Sequence, residues 1–96
     1  MSADVNDITI NYEEDGTLIV KELDKEILSK GAWTTIIFRY QDMNRTTQEY
    51  GPDKYSIRRY QKLKGQYMPK SKFNISSNAQ AQKIVDALSR WVSEDK

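Results

Sequence analysis

Short β-like runs separated by polar turns fill most of the chain, and the apolar period changes near its end. Asp7 to Tyr12 and Thr17 to Leu23 are both β-like runs, and Glu14-Asp15-Gly16 between them carries the Asp-Gly pair favoured in tight hairpin turns. They predict an N-terminal hairpin. Residues 1–7 before it are polar and expected to be loose. Ser29-Lys30-Gly31 punctuates the chain ahead of Trp33 to Asp42, whose β-branched and aromatic content marks the clearest strand. Asn44 to Asp53, containing Gly51-Pro52, reads as a polar loop. Tyr55 to Lys62 is the next strand and Leu63 to Gln66 its turn. Tyr67 to Ser76 is a final extended segment that Pro69 confines to an edge or a bulge. Four or five antiparallel strands result.

The period then becomes helical. Ser77 and Gln80 have the spacing of a capping box. Ile84, Leu88 and Trp91, flanked by Val85 and Val92, form one apolar stripe on a helix of roughly 15 residues. One face of the sheet covers part of that stripe, and the matching stripe of a second subunit can cover the rest. The pattern gives an α+β chain with one domain over residues 8–96 and no repeat or linker.

Composition sharpens the case for a second subunit. Ala, Val, Ile, Leu, Met, Phe, Trp and Gly make up 34 of 96 residues, below the roughly 45 to 50% of an average globular chain. So thin a core gains from being buried against a second copy, and a homodimer is expected. The absence of His and Cys excludes disulfides, Cys/His zinc sites, Cys nucleophiles and His general bases, which removes most small-enzyme chemistry. No metal site or cofactor is expected; Glu13, Glu14 and Asp15 read as a solvated turn rather than a cation site. No apolar run spans a membrane and the start lacks the layout of a secretory signal. The expected location is intracellular: cytoplasmic, nucleoid-associated or nuclear.

The formal net charge of +1 hides an asymmetry. Residues 1–28 sum to −6, residues 29–85 to +8, and Lys54 to Lys72 hold seven bases and no acid. Eight of the ten aromatic residues lie between positions 33 and 73. Cations interleaved with flat rings suit single-stranded nucleic acid, whose phosphates need charge and whose unpaired bases need a stacking surface. The same alternation also serves simply to keep an outer sheet face soluble. In the strand from Tyr55, one parity (Ser56, Arg58, Tyr60, Lys62) reads as a wet binding face. For the strand from Trp33, hydropathy leaves open whether Ile36 and Phe38 are core or share that face with Tyr40.

The run Tyr55 to Gln61, the turn at Gly65, the segment Met68 to Ser77 and the Gln-rich helix start resemble the single-stranded-DNA-binding domain of the transcriptional coactivator positive cofactor 4 family. The match covers about residues 33–93. The resemblance implies a curved four-stranded antiparallel sheet followed by one helix (ββββα), here with an extra N-terminal strand or hairpin. It also implies dimerisation through the helices, placing Ile84, Leu88, Trp91 and Val92 at the interface. Phe38 and Tyr40 would then face the nucleic acid, with Arg58 binding phosphate and Tyr60 beside it. Lys70 and Lys72 would supply the family's basic turn, matched to within one position given an extra residue before Ile75. Lys54 and Lys62 complete the expected basic face. A family Trp after the Tyr is Gln61 here, so Phe38 or Trp33 would have to replace it.

The expected function is sequence-independent binding of single-stranded DNA in transcription regulation, replication or recombination, with transcription or replication proteins as further partners. Two alternatives are a protein interaction module, in which the basic strand is a solvated face, and single-stranded RNA binding.

Overall fold

The computed structural model describes residues 4–94. Two tight turns fix its strand registers: Asp15 and Gly16 have φ of 53° and 80°, Lys64 and Gly65 of 52° and 78°. Left-handed backbone at both central positions is what a two-residue antiparallel hairpin requires. The first turn joins β1 (Tyr12–Glu14) to β2 (Thr17–Ser29), which passes through Lys30 to Ala32 into β3 (Trp33–Asn44). The second joins β5 (Lys54–Leu63) to β6 (Gln66–Ile75), and α1 (Asn78–Glu94) ends the described chain. Between β3 and β5, a two-residue β4 (Glu49–Tyr50) folds back on the end of β3. The strands form one curled antiparallel sheet in the order β1-β2-β3-β5-β6.

The antiparallel sheet followed by a C-terminal helix agrees with the expected class. The N-terminal hairpin is shorter on one side and longer on the other than its pattern predicts. β1 starts at Tyr12, where its register with β2 slips, while β2 runs on to Ser29. Side chains displace the ladder upstream of Tyr12. The Asn11 side-chain oxygen accepts from the Glu22 amide at 2.7 Å, and a Glu22 carboxylate oxygen accepts from the Thr9 hydroxyl at 2.8 Å and the Ile10 amide at 3.3 Å. Released from the edge, residues 4–11 cross one face of the sheet. Residues 4–7, expected to be loose, contain a short 3-10 turn over Val5–Asp7 capped by the Asp4 carboxylate, with Val5 buried; residues 1–3 lie outside the described residues.

Alternation along the strands gives the sheet two unlike faces. One carries Thr34, Ile36, Phe38 and Tyr40 of β3 with Ser56, Arg58 and Tyr60 of β5, and Tyr67 follows on β6. Its core consists of Ile36, Phe38, Tyr40, Tyr60 and Tyr67 closed over by Val5, Ile8 and Ile10. The opposite face carries Ile37, Tyr55, Ile57 and Ile75 toward α1, with an open apolar cleft of about 690 Å³ between sheet and helix. The helix is capped as its sequence predicts, the Ser77 hydroxyl accepting from the Gln80 amide at 3.1 Å, although the Gln80 side chain returns to the Ser76 amide at 3.3 Å. None of its residues is buried.

The remaining expectations concern loops and edges. The polar stretch after β3 is ordered by Asn44, whose side chain accepts from the Thr46 and Thr47 amides, and by β4. Arg39 Nε and Gln41 Nε2 both donate to Asp53, at 2.6 and 2.8 Å, and close its far end. Pro69 lies on the edge strand β6 beside a register slip at Arg59/Tyr60, so both of its predicted roles are met.

Candidate nucleic-acid interface

The expected basic and aromatic residues do gather on one face, and register explains how. Ile36 lies opposite Arg58, Phe38 opposite Ser56, and Tyr40 opposite Lys54 across β3 and β5, while Arg58 lies opposite Lys72 across β5 and β6. The parity that hydropathy left open is thereby settled: Ile36, Phe38 and Tyr40 share the face of Arg58 and Tyr60. Arg58 is held in place, its Nε donating to Ser56 Oγ at 3.1 Å while Ser56 Oγ donates to Asn74 Oδ1 at 2.7 Å. A fully buried hydroxyl thus fixes the guanidinium from beneath.

Beside Arg58, a cleft of about 330 Å³ is lined by Pro69, Lys70, Ser71 and Lys72. A second cleft of about 330 Å³, sharing Arg58 and Pro69, continues along Tyr60, Tyr67 and Asp7 to Thr9. The cations here are uncommitted. Among the described residues, the ion pairs engage Arg39, Arg45 and Lys54, and none involves Arg58, Lys62, Lys70 or Lys72. Lys62 sits over the Tyr67 ring at 5.4 Å from its centroid. Unpaired cations spaced along a groove are free to take phosphates.

No protein family, curated protein or solved structure matches this chain.

The geometry of this face corrects part of the sequence reading. Phe38 and Tyr40 are expected to face the nucleic acid, with Tyr60 beside Arg58, yet the three rings are 0%, 8% and 6% exposed. Strand patterning is blind to the cause, which is the N-terminal segment lying over the rings. Burial pushes the Tyr60 phenol pKa up, and the neighbouring Arg58 charge partly offsets this. Lys54 is bound to Asp42 at 3.2 Å and is less available than Arg58. Trp33 lies directly across from Gln61, the position of the absent Trp, on the sheet face opposite Arg58 and Tyr60, and the Arg59 guanidinium stacks on its ring at 4.6 Å. Phe38 lies on the other face, with Arg58 and Tyr60. Tyr67, not singled out from the sequence as a candidate, borders the same cleft as Arg58 and Tyr60; the Lys64-Gly65 turn, which places it opposite Lys62, was the available signal. Glu14, in the acidic turn, is engaged by Arg45 Nη2 and the Tyr12 hydroxyl.

On the helix side, the expected interface residues form an uncovered stripe. Leu88, Trp91 and Val92 are 53%, 59% and 60% exposed, and Ile84 is half-buried at the cleft. Among the described residues, no helix is long and apolar enough to cross a membrane.

Proposed function

We propose that this protein binds single-stranded DNA without sequence preference, along the face that carries Arg58, Lys62, Lys70 and Lys72, as a homodimer joined through α1. The observation that carries the reading is the row of cations without acidic partners on the same face as Phe38, Tyr40, Tyr60 and Tyr67. Phosphates would lie over the Arg58, Lys70 and Lys72 cleft, and bases would stack on the neighbouring rings once these are uncovered. The work is binding rather than catalysis. Supporting transcription, replication or recombination requires nothing more of the site.

The apolar cleft under α1 supports the dimer. Its own chain leaves it open, and a second copy's Leu88 and Trp91 present an apolar stripe of matching chemistry. A two-fold arrangement would cover both clefts at once. Leu88→Glu should convert a dimer to a monomer by light scattering; a wild-type chain that is monomeric at millimolar concentration removes this part of the proposal.

Binding of labelled oligo-dT across a salt series tests the central claim. About four phosphates neutralised per site predict a log-log slope near −3 and a roughly fiftyfold loss of affinity between 50 and 200 mM salt. No binding at low salt would leave the interaction-module alternative. Competition with oligo-U separates DNA from RNA, since no 2′-hydroxyl reader is evident.

A further inference from the structure

The rings that would stack bases are covered by the chain's own first residues, and the cover is attached in an unusual way. Val5, Ile8 and Ile10 are 4%, 5% and 7% exposed and close over Phe38, Tyr40, Tyr60 and Tyr67. Yet among the described residues no backbone-to-backbone hydrogen bond joins residues 4–11 to the sheet, and strand pairing begins only at Tyr12. Side chains make the polar attachments. Lys25 Nζ donates to the carbonyls of Ile8 at 2.6 Å, Asn6 at 3.0 Å and Val5 at 3.4 Å, and Glu22 holds Thr9 and Ile10. Such a segment can lift about Asn11 without breaking a strand ladder.

Its chemistry also imitates the ligand. Asp7 borders the cleft that Arg58, Tyr60, Tyr67 and Pro69 line, putting an acidic residue, without a direct ion pair to Arg58, on the cleft where a phosphate would bind. Ile8 borders the same cleft and belongs to the apolar cluster over the rings, where a base would stack.

We propose that residues 4–11 are an intramolecular competitor for the groove: single-stranded nucleic acid gains the rings of Phe38, Tyr40, Tyr60 and Tyr67 only by displacing this strap. The proposal rests on the single-strand reading above. A closed strap lowers apparent affinity by the fraction of molecules in which it is open, so the bound and strapped states exclude one another.

Hydrogen exchange on the full chain tests this with no substitution. The Ile10 amide bonds to Glu22 across the contact between strap and sheet, whereas those of Asn6, Asp7, Ile8 and Asn11 bond within the strap. Saturating oligo-dT should accelerate exchange of the Ile10 amide at least tenfold; unchanged or increased protection there overturns the competitor. Two variants add affinity readouts. Asp7→Asn, at an exposed position, should tighten oligo-dT binding about two- to threefold at 50 mM salt by removing a competing charge. Ile8→Ser should tighten it about tenfold by raising the open fraction. Wild-type binding with the strap still protected overturns the strap alone. No binding by wild type or by Ile8→Ser overturns the single-strand reading and the strap with it.

Discussion

Ser56 illustrates how one buried hydroxyl can matter more than its size suggests. It is wholly buried, donates to Asn74 and accepts from Arg58, so Ser56→Ala would leave the Asn74 oxygen short of a partner and Arg58 free to rotate. The expected outcome is a loss of about 1 to 3 kcal/mol in stability by urea titration. Phe38→Ala should cost more, about 3 to 5 kcal/mol, because it empties a site with no exposure. A stability loss well under 1 kcal/mol would mean that the ring is not core in solution. Asp53 offers a pH test. Hydrogen bonds from Gln41 and then Arg39 hold its carboxyl below the ordinary 3.8, against a smaller effect of burial. A depressed folded-state pKa means that the contact's stabilisation is present above the unfolded value and is lost as pH falls through the folded one. An NMR titration should therefore place the Asp53 midpoint below 3.8; a midpoint at or above it would show the loop anchor to be absent. At this scale, Arg58 could be read from the sequence because a solvent-facing cation needs only strand parity to be placed, whereas Lys70 and Lys72, implied only by the family resemblance, follow a register slip that strand parity does not capture. The rings could not be read either. Whether Tyr40 is a platform or core depends on what crosses over it; Ile8 and Ile10 look like an ordinary strand pattern, and Val5 sits in a stretch that reads as loose.

Among the elements, turns were the most legible and edges the least. Asp15-Gly16 and Lys64-Gly65 impose left-handed backbone locally, so neither turn depends on distant packing. Gly65→Ala isolates that effect, since an added Cβ meets nothing within 4 Å while φ is +78°. The expected cost is about 1 to 2 kcal/mol from backbone strain alone, read as a lower urea midpoint at unchanged slope; no change would show that the turn tolerates another conformation. Strand β2 was harder to see. Leu23 to Ser29 continue the strand although they carry Asp24, Lys25 and Glu26, charges that suit an edge facing water. The hairpin's first arm fails for the opposite reason. Asn11 and Glu22 satisfy by side chain the groups that a ladder would have paired, a competition that apolar alternation does not register.

The whole molecule is a sheet covered well on one side only. Its radius of gyration is 15.4 Å, against about 12.5 Å expected for a compact chain of this length, and its extents are 50 × 38 × 17 Å. The strap completes one face, whereas the helix leaves an apolar cleft on the other and its own stripe in water. The low apolar content of the sequence carries the same message, because such a chain lacks the material to build two closed layers. If the second layer is another copy, folding and association are one equilibrium, and thermal stability must depend on concentration. Two chains of 96 residues carry an unfolding entropy of about 0.4 kcal/mol/K at the usual per-residue value. A tenfold rise in concentration contributes about 1.4 kcal/mol, so Tm should climb about 3 to 4 °C per decade of protein concentration. Leu88→Glu should abolish that slope and lower Tm at every concentration, whereas a wild-type Tm that does not move across two decades would identify a stable monomer whose helix face is left to a different partner.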